Sequence, residues 1–530
     1  MIGPNEVSIL DENSEALGIE TSDLMKNAGG CLAGEIMKRY PSPSRAIFFC
    51  GTGNNGGDGF VAARILAEAD WKVSVILSRS VERIGSDLAL SAFKSLEGYV
   101  DVNVALDDWE AVEDLLWESD VIVDGLLGAG ARGAPRGVYI DLVKAMNGSD
   151  SPVVSIDIPT GAGFEPHVNA ELTVTFHDSK TNMFKNGKPL EECGEIVVAD
   201  IGIPMEASTF VGPGDLSRYP KTREMAKKGD GGKALVIGGG PFTGAPALAS
   251  LAAGRSGSDL VRVAVPERIS QVIASFSPDL IVQGIGGSRD SIFKPGMVEK
   301  LRPPIKWADA VLIGPGAGDD PETLEALYQI VKMSLEEGKR IVVDADGITA
   351  IARFLTPGKP ISESPDRILI TPHRGELKRI LEALDLVSEE ADLSEPYIMD
   401  SGVPVDIKEE VMEAVSSLCY EHKLEVLLKG PLDAIFTSGD HTLGSLIDAG
   451  SKRGDVKMRL NSAGVPSMST GGTGDVLAGI CVGLASRGMS LFDSACLASY
   501  LNGRAGEESY ATRGHSMVAS DLLDHIRILP

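Results

Sequence analysis

Two glycine-rich stretches, GTGNNGGDG (residues 51–59) and STGGTGD (residues 469–475), lie in opposite halves of this chain. Each follows an apolar, strand-like run, precedes a helix-like run and carries an aspartate. Glycines let the backbone approach a ligand closely, and the N-terminus of the following helix offers free N–H groups and a positive dipole end to an anion. The two stretches therefore predict chemistry on phosphate-bearing substrates at two sites of one chain.

The composition favours a multidomain globular protein with small-molecule ligands. With 530 residues, of which 43% are hydrophobic and 24% charged, the chain is too long for one ordinary core, so we expect two or three domains. Its net charge of −27 argues against a nucleic acid or an anionic membrane as partner. Small anionic ligands remain possible, because a local glycine loop can outweigh the global field.

The cysteines and histidines argue against a disulfide framework and a zinc site. The seven histidines show no HxxxH spacing, and no CxxC pair occurs among the six cysteines, which are Cys31, Cys50, Cys193, Cys419, Cys481 and Cys496. We expect most of these cysteines to be buried thiols in a reducing cytosol. The start of the chain lacks the basic and long apolar segments of a signal peptide, and no uninterrupted apolar run is long enough to span a membrane. The sequence predicts a cytoplasmic protein without a membrane partner.

The first half of the chain alternates between strand-like and helix-like patterns. Helix-like stretches at residues 60–69, 86–96, 109–118 and 138–146 separate most of the strand-like runs, which are residues 46–50, 72–77, 121–124, 153–156, 172–176 and 196–199. Such alternation predicts a mostly parallel sheet covered on both faces. Ligands bind at the carboxyl ends of such strands, so the loops at residues 51–59, 124–130 and 157–161 should converge on one cleft.

The rhythm is lost in a segment rich in Gly, Pro and Lys, and it then resumes. We place a linker at residues 212–226, which gives domains at residues 1–211 and 227–530. The strand-like runs of the second domain are residues 234–237, 260–265, 310–313, 340–344, 367–370 and 425–428. No short internal repeat relates the two halves, so the chain is predicted to be a fusion of two α/β domains.

The motifs of the first domain resemble the epimerase domain of the NAD(P)H-hydrate repair system. They are GTGNNGGDG, VDGLLGAGARG, SIDIPTG, TVTFHDSK and DIGIP, in that order over roughly residues 1–210. The resemblance implies a Rossmann-like three-layer sandwich in which Asp157 contacts the damaged nicotinamide ring. It also implies that the dinucleotide is cradled by Asn54, Asn55, Gly56, Gly57 and Asp58 and by Gly128, Ala129, Gly130, Ala131, Arg132, Gly133 and Ala134. A potassium ion would be held by Asn55, Asp124 and Thr160, whose oxygen ligands suit a hard cation.

Asp157 and Lys180 are the predicted acid/base pair of this domain. Epimerising a hydrated ring carbon needs proton transfer to and from a leaving hydroxyl, which a carboxylate and an amine facing one another can supply. The stretch after Lys180 reads TNMF, where the family usually shows a glycine, so the substrate contacts there depart from the pattern. A strand-end turn former at Asp157 and a solvated lysine at Lys180 are the alternatives.

In the second domain, STGGTGD predicts an anion hole at the start of a helix over residues 476–485. Thr473, Gly474 and their neighbours would offer backbone N–H groups, and Asp475 would lie within reach of a substrate hydroxyl. Phosphoryl transfer needs positioning, charge stabilisation and a base for the attacking hydroxyl. Asp475 is the predicted base.

Residues 227–530 resemble the ribokinase-like superfamily and, more narrowly, its ADP- or ATP-dependent NAD(P)H-hydrate dehydratases. The matching segments are KKGDGGKALVIGGG, FTGAPALA, GPGAG, TPHRGE, LLKGPLD and STGGTGDVLAGI. The resemblance implies a three-layer α/β domain that phosphorylates the hydroxyl of the hydrate and eliminates phosphate. It implies nucleotide contacts from Lys429, Gly430, Pro431, Leu432, Asp433 and Gly474, and hydrate contacts from Ala247, Gly316, His373 and Asp475.

Several properties stay open at this stage. The nucleotide could be ADP or ATP, the substrate could be the hydrate of NADH (NADHX) or that of NADPH (NADPHX), and the resemblance implies a homo-oligomer. Asp344, Asp346 and Glu376 could serve Mg²⁺, which favours one or two carboxylates plus nucleotide phosphates. These acidic residues could equally well only shape the cleft.

Two other functions compete with bifunctional repair. One is a vitamin or sugar kinase fused to a non-catalytic ligand-binding domain, because anion holes like GGTGD occur across the ribokinase-like superfamily. The other is repair chemistry in the second domain beside a first domain that serves only as a scaffold. TPHRGE together with LLKGPLD favours repair, and the joint presence of Asp58, Asp124, Asp157 and Lys180 argues against a decayed first site.

Overall fold

The computed structural model describes residues 1–3, 5–40, 44–106, 109–221, 226–387, 396–400, 403–439, 443, 445–447 and 456–528. Contacts divide the chain into two compact units, unit 1 (Met1–Ala207) and unit 2 (Ser208–Pro530). Within the described residues, no helix has the length and apolar character that a membrane span requires.

Unit 1 is built on a seven-stranded sheet in which every neighbouring pair is parallel. Its strands are β1 (Arg45–Cys50), β2 (Lys72–Leu77), β3 (Asp101–Val104), β4 (Val121–Gly125), β5 (Val153–Ile156), β6 (Leu172–Phe176) and β7 (Glu195–Ala199). The spatial order is β3-β2-β1-β4-β5-β6-β7. The order reverses between β1 and β4, and such a switch point opens a crevice at the carboxyl ends of the two strands.

Helices cover both faces of this sheet, which confirms the predicted three-layer sandwich. Side chains alternate along β1: Phe48 packs into one core with helices α2 and α3, and Phe49 packs into a second core with α5 and α6. The helices are α1 (Glu6–Ala16), α2 (Thr21–Arg39), α3 (Asn54–Glu68), α4 (Asp87–Lys94), α5 (Trp109–Glu118), α6 (Val138–Asn147) and the short α7 (Met205–Thr209).

Unit 2 contains a ten-stranded mixed sheet. Its strands are β8 (Lys233–Ile237), β9 (Leu260–Pro266), β10 (Ile281–Ile285), β11 (Ala310–Ile313), β12 (Arg340–Val343), β13 (Ile368–Ile370), β14 (Glu425–Leu428), β15 (Asp433–Thr437), β16 (Ser445–Ile447) and β17 (Val456–Asn461). The order is β10-β9-β8-β11-β12-β13-β14-β15-β17-β16, parallel as far as β14 and antiparallel beyond it. A second switch point lies between β8 and β11.

Helices also cover both faces of the second sheet. Cores on opposite faces contain α8, α15 and α16 on one side and α11 to α14 on the other. The helices are α8 (Gly244–Arg255), α9 (Ser270–Ala274), α10 (Arg302–Trp307), α11 (Pro321–Glu336), α12 (Asp346–Phe354), α13 (Arg374–Ala383), α14 (Glu409–His422), α15 (Thr473–Ser486), α16 (Leu491–Arg513) and α17 (Ala519–Leu522). Two antiparallel hairpins, Phe184–Lys185 with Lys188–Pro189 and Tyr397–Asp400 with Val403–Ile407, lie outside the sheets.

Helix α15 lies very close to α8, and glycine makes this approach possible. A Cβ atom on Gly479 would stand 2.2 Å from the carbonyl oxygen of Ala249, so any side chain there would separate the helices. The residues of α15 from Val476 onward are buried. This packing fixes the glycine-rich start of α15 against the start of α8.

The sequence predicts a linker at residues 212–226, and the structure differs from this prediction. The described part of this segment includes the 3₁₀ helix Pro213–Arg218, and the contact-based boundary falls earlier, between Ala207 and Ser208. The reason is Asp215, which is fully buried and forms an ion pair with the buried Arg459 of β17. Glycine and proline content alone does not reveal a buried charge pair, so residues 212–221 belong to unit 2; residues 222–225 lie outside the described residues.

The Asp215–Arg459 pair gives a stability prediction. Asp215→Asn should lower the free energy of unfolding by about 3 kcal/mol, because it leaves a buried guanidinium without its counter-charge. Glu382→Gln, which removes the exposed pair with Lys378 on α13, should cost less than about 1 kcal/mol. Denaturant titration followed by circular dichroism measures both. Equal losses in the two variants would contradict the assignment of residues 212–221 to the folded unit.

Candidate functional site

The loops that follow β1, β4 and β5 meet at one edge of unit 1, as the sequence predicts. A Cβ atom on Gly51 would lie 1.9 Å from the carbonyl oxygen of Leu126, and Gly51 N–H donates to Gly125 at 2.9 Å. Ala129 N–H lies 3.4 Å from Oδ2 of Asp157. The three loops therefore line a single cleft, which we call the first cleft.

Lys180 and Asp157 face one another in this cleft. The Lys180 Nζ lies 2.7 Å from Oδ1 of Asp157, and the lysine side chain is only 1% exposed. The ammonium also donates to Thr175 Oγ1 at 3.0 Å and to the carbonyls of Phe176 and Asp178 at 2.9 and 3.0 Å. A buried ammonium with this many acceptors is held in one orientation, so the pair is rigid.

The backbone at Asp157 is held in an uncommon conformation. Its φ is +62°, in the left-handed region that non-glycine residues rarely adopt. Asp157 N–H donates to Val174 at 2.8 Å, and Thr175 Oγ1 lies 3.2 Å from the carboxylate. Neighbouring strands thus keep the carboxylate turned into the first cleft.

Asp124 and Thr160, two of the predicted potassium ligands, contact one another directly. Thr160 donates to the buried Asp124 carboxylate through its N–H at 2.8 Å and its hydroxyl at 2.7 Å. Ser155 donates to the same carboxylate at 3.0 Å. Burial raises the pKa of Asp124, and these hydrogen bonds oppose the rise. The third predicted ligand, Asn55, is half-buried, and its Nδ2 has no hydrogen-bond partner among the described residues.

The predicted cradle is part of helix α3 rather than of a loop. Helix α3 begins at Asn54, six residues earlier than the predicted start at residue 60, so Asn55, Gly56, Gly57 and Asp58 form its first turns. Gly53 is the N-cap and supplies no side chain, which leaves the first N–H groups of α3 available to an anion. A Cβ atom on Gly128 would lie 3.1 Å from Oδ1 of Asn55, so the second part of the cradle begins beside α3.

The rest of this second part, residues 129–134, lies mostly at the surface. Ala129 is buried and Ala134 half-buried, whereas the exposed members are Gly130, Ala131, Arg132 and Gly133. The Arg132 guanidinium donates to the Asn5 side chain at 3.3 Å. These exposed residues form the rim of the first cleft.

Two further carboxylates interact with the Asp157–Lys180 pair. Burial raises the pKa of Asp58 well above its usual range, and repulsion from Asp157 and Asp11 raises it further. Burial and the charge of Asp157 raise the pKa of Asp11 to about 6. Asp11 lies on α1, outside every glycine motif.

In unit 2, the start of α15 also lacks a side-chain cap. Gly472 is its N-cap with a φ of +99°, a conformation that glycine adopts without strain. The Thr473 hydroxyl donates to the carbonyl of Met468 at 2.8 Å, which fixes the turn before the helix. A Cβ atom on Gly474 would stand 3.3 Å from Nζ of Lys429, so the lysine ammonium lies against this helix start.

Lys429 is the centre of what we call the second cleft. Its Nζ lies 2.7 Å from Oδ1 of the buried Asp344, which also accepts from Thr371 Oγ1 at 2.8 Å. Burial lowers the pKa of Lys429, but the charges of Asp344, Glu376 and Asp475 outweigh it, so the net shift is upward. Lys429 is therefore a permanent positive charge among carboxylates.

Asp475 has the pKa of a group that exchanges protons near neutrality. Burial raises its pKa to about 7, with repulsion from Asp344 adding to the effect and attraction to Lys429 opposing it. It occupies the first turn of α15. A carboxyl group that is half ionised at neutral pH can act as a general base.

His373 is the N-cap of α13. Its Nδ1 accepts from the N–H groups of Gly375 at 3.0 Å and Glu376 at 3.3 Å, and Glu376 accepts from the His373 N–H at 2.9 Å. TPHRGE is thus a capping box, which is a structural reason for this motif. The Nε2 remains on the open side of the ring, 3.6 Å from Glu376, and the side chain is 56% exposed.

The KGPLD segment is a turn held by Asp433. The Asp433 carboxylate accepts from Gly430 N–H at 3.0 Å and from Ser499 Oγ at 2.5 Å. Pro431 is exposed and Leu432 fully buried, so Asp433 and Leu432 support the turn while Lys429 and Gly430 face the second cleft. Tyr397 lies beside the turn, since a Cβ atom on Gly430 would stand 1.5 Å from its hydroxyl.

Ala247 and Gly316 border the same cleft. Ala247 is buried in the first turns of α8. Its neighbour Leu248 lies against the start of α15, since a Cβ atom on Gly472 would stand 2.8 Å from the Leu248 side chain. Gly316 is buried with a φ of +65°, and a Cβ atom there would lie 2.9 Å from the carbonyl of Phe242. The structure therefore brings the loops after β8 and β11 to the start of α15.

The three candidate magnesium carboxylates all have protein partners. Asp346 accepts from Gly318 N–H at 2.7 Å, Asp344 pairs with Lys429, and Glu376 caps α13. Burial raises the pKa of Asp346, and Asp319 and Asp344 add to the rise. No group of three or more acidic, histidine or cysteine side chains within the described ranges is arranged to hold a metal ion.

Four residues of the two clefts are not among the predicted site residues. Ser155, Thr175 and Thr371 are fully buried polar residues at the ends of apolar strands, and each of them contacts an aspartate of a cleft. A polar residue within a buried strand is a signal that sequence can carry, because such a residue needs a buried partner. Asp11 carries no such signal.

Family models match both units. The model described as NAD(P)H-hydrate dehydratase matches residues 234–527, and the model described as YjeF-related protein N-terminus matches residues 21–182. The first match alone covers more than half of the chain. The two matches leave no support for a kinase fused to an unrelated binding domain.

Full-length relatives carry both units in the same order. The bifunctional NAD(P)H-hydrate repair enzyme Nnr of Hyperthermus butylicus is 38% identical over 531 residues, which cover 98% of this chain and 90% of that protein. The enzyme of the same name from Archaeoglobus fulgidus is 36% identical, with 99% and 97% covered.

A solved structure of an ADP/ATP-dependent NAD(P)H-hydrate dehydratase from Bacillus subtilis is 22% identical to this chain. It matches with a TM-score of 0.43 over 60% of this chain and 96% of its own. The family models and the full-length relatives carry the assignment without it. This chain belongs to the family of bifunctional NAD(P)H-hydrate repair enzymes.

Proposed function

We propose that this chain repairs hydrated NADH and NADPH in two steps. Unit 1 interconverts the R and S hydrates, and unit 2 dehydrates the S-hydrate at the expense of ADP or ATP. The observation that carries the proposal is that each unit holds a lysine–aspartate pair at the carboxyl edge of its sheet, beside an uncapped helix start. The family matches over both units support the same division of labour.

In the first cleft, the uncapped start of α3 would bind the pyrophosphate of the dinucleotide. The damaged ring would then lie against Asp157, whose carboxylate is fixed by Lys180 and Thr175. Asp157 would take or return the proton of the hydroxyl group that the ring carbon carries, and Lys180 would stabilise the anionic form of Asp157. Positioned acid/base groups of this kind contribute about 10²–10⁴-fold to a rate.

In the second cleft, the hydroxyl of the hydrate would attack the terminal phosphate of the nucleotide. Asp475 would accept the hydroxyl proton, and the N–H groups at the start of α15 together with Lys429 would stabilise charge on the transferred phosphoryl group. The C–O bond then breaks as phosphate leaves, and loss of a proton from the adjacent ring carbon restores the double bond of the dihydronicotinamide. His373 would offer its Nε2 to the hydrate, because Nδ1 is engaged in capping α13.

A potassium ion fits the first cleft. Asp124, Thr160 and Asn55 can offer carboxylate, hydroxyl and amide oxygens, which are ligands that suit a hard cation. Bound there, the cation would supply positive charge beside the dinucleotide. Asp124 would hold it, with Thr160 and Ser155 keeping that carboxylate in place.

A magnesium ion fits the second cleft only together with a nucleotide. Both described partners of the Asp344 carboxylate bind Oδ1, so its Oδ2 could reach an ion whose other ligands are phosphates and waters. The ion would supply charge neutralisation for the phosphates. Asp344 is the carboxylate that we propose for this contact.

Cytoplasmic location and a homo-oligomeric state complete the proposal. All six cysteines lie within the described residues and are unpaired, which agrees with a reducing compartment. The net charge of −27 agrees with small-molecule substrates rather than nucleic acid as partners. The homo-oligomer rests on the family resemblance and is open to sedimentation analysis.

A mixture of R and S NADHX tests the proposal directly. With ADP or ATP and Mg²⁺, the wild-type chain should convert the whole mixture to NADH in one fast phase. The near-ultraviolet absorbance of the reduced nicotinamide measures this conversion. Conversion of only the S fraction would contradict the epimerase half. Conversion of neither would contradict the whole proposal.

The role of Asp475 leads to a mutational prediction. Asp475→Asn should lower the rate of dehydration by about 10²–10⁴-fold with little change in nucleotide affinity, because it removes the base but keeps the shape. Wild-type dehydration should fall as the pH drops through about 7, where Asp475 becomes protonated. Glu322→Gln is the control, since Glu322 is an exposed acid in the first turn of α11. Near-normal turnover in Asp475→Asn would exclude this residue as the base.

The Asp157–Lys180 pair leads to a kinetic prediction. With a mixture of R and S hydrates, Asp157→Asn and Lys180→Met should convert the S fraction quickly and then slow to the spontaneous rate of epimerisation. Dehydration of pure S-hydrate should stay intact in both variants, because its proposed residues all belong to unit 2. Lys185→Met, which removes an exposed lysine nearby in sequence, should behave as wild type. A single fast phase in both pair variants would show that this pair is not the epimerisation catalyst.

A further inference from the structure

The residues that precede helix α1 pair with a segment of the first cleft. The backbone of Ile2 pairs with the strand-like segment around Lys180: Ile2 N–H donates to Ser179 at 2.9 Å, and Thr181 N–H donates to Ile2 at 2.9 Å. The α-amino group of Met1 lies 2.6 Å from Asp178. Four residues after Ile2, helix α1 begins at Glu6. The backbone on either side of Lys180 thus also positions the start of α1.

The next turn of α1 packs against the loops of the first cleft. Val7 contacts the small cluster that contains Ala129 and Ile158, which come from the loops after β4 and β5. The Asn5 side chain accepts from Arg132, on the rim formed by the first of these loops. Since α1 touches both loops, it is a wall of the first cleft.

Asp11 lies one helical turn after Val7 and on the same face. It is half-buried, and among the described residues its carboxylate has no hydrogen-bond or ion-pair partner. Charged groups act on it from three elements besides its neighbour Glu12: Asp58 on α3, Asp157 after β5 and Lys180 after β6. A half-buried acid whose pKa is raised, on a wall of a cleft that already contains an acid/base pair, is a candidate for the chemistry of that cleft.

When a hydrate epimerises by loss and return of water, protons are transferred on both faces of the ring. The hydroxyl leaves from one face, and water returns from the other. The Asp157–Lys180 pair supplies one of the two groups and reaches the cleft from strand ends. The other group must come from a different direction, and α1 lines another side of the cleft.

We propose that Asp11 is the second acid/base residue of the first cleft and acts on the ring face opposite to Asp157. This assignment rests on the proposed epimerase function. In one direction, the carboxyl group of Asp11 gives its proton to the hydroxyl, which leaves as water with the electrons of the C–O bond. The lone pair of the adjacent ring nitrogen forms a C=N⁺ bond.

The second half of the step reverses these events on the other face. A water oxygen forms the new C–O bond, the electrons of the C=N⁺ bond return to nitrogen, and Asp157 takes the proton of the water. No oxidant or reductant is involved, and solvent resets the two carboxyl groups. In the opposite direction, Asp157 is the acid and Asp11 the base. Between them, the two residues hold one exchangeable proton.

The test compares epimerisation in wild type, Asp11→Asn, Asp11→Glu and Glu12→Gln, with the spontaneous rate subtracted. Asp11→Asn should slow epimerisation by about 10²-fold or more, because the amide neither gives nor takes a proton at this site. Asp11→Glu should recover part of the rate. Glu12→Gln is the matched control: Glu12 is exposed and its charge helps to raise the pKa of Asp11, so its removal should shift the pH profile slightly to lower pH and leave the maximal rate near that of wild type.

The pH profile separates a catalytic role from a structural one. Wild-type kcat/KM for epimerisation should fall as the pH rises through about 6, where Asp11 loses the shared proton, and Asp11→Asn should lack this limb. A wild-type rate in Asp11→Asn would overturn the proposal, as would a slower rate with the limb unchanged. Absence of enzymatic epimerisation in the wild-type chain would instead contradict the proposed function of unit 1, so the two failures are distinguishable.

Discussion

The burial of one ammonium beside one carboxylate, repeated in each unit, is the constraint on which both clefts depend. Lys180–Asp157 and Lys429–Asp344 have the same separation of 2.7 Å, and each aspartate also accepts from a threonine hydroxyl. Removing two charges from water is costly unless their remaining hydrogen-bonding capacity is satisfied. The carbonyls around Lys180 and the threonines at the strand ends satisfy it. The geometry of each cleft is therefore fixed by electrostatics before any substrate arrives.

Glycine makes these arrangements possible by letting backbone segments touch. A Cβ atom on Gly51 or on Gly479 would fall within about 2 Å of a carbonyl oxygen, closer than atoms approach. At Gly51 the contact joins the loops after β1 and β4, and at Gly479 it seats α15 against α8. The motifs that attract attention in the sequence thus have two roles: they expose N–H groups to an anion and allow the close packing that orients those groups.

The sequence predicted twelve of the seventeen sheet strands among the described residues, because most buried parallel strands are short apolar runs with a polar or glycine-rich loop after them. It did not predict β3, β10, β15, β16 and β17. Most predicted ends of β1, β2, β4, β5, β6 and β7 agree with the structure to within one residue. The start of α3 was misplaced because glycines and asparagines are poor helix formers, and tertiary contacts override this preference at Asn54. The linker was misplaced because the partner of Asp215 lies more than 240 residues away in the chain. Asp11 could not be predicted for a related reason: only the folded chain brings α1 beside Lys180.

The acidic surplus of the chain has a local consequence in each cleft. Asp58 and Asp11 crowd Asp157 in unit 1, and Asp344 and Asp346 crowd Asp475 in unit 2. Burial and this crowding both disfavour ionisation, so the pKa values of Asp11, Asp58 and Asp475 are raised. The same crowding would repel phosphates if nothing balanced it. In the proposed function, one lysine and one uncapped helix start in each unit provide that balance, so that the same arrangement would adjust the acids for proton transfer and admit an anionic dinucleotide or nucleotide.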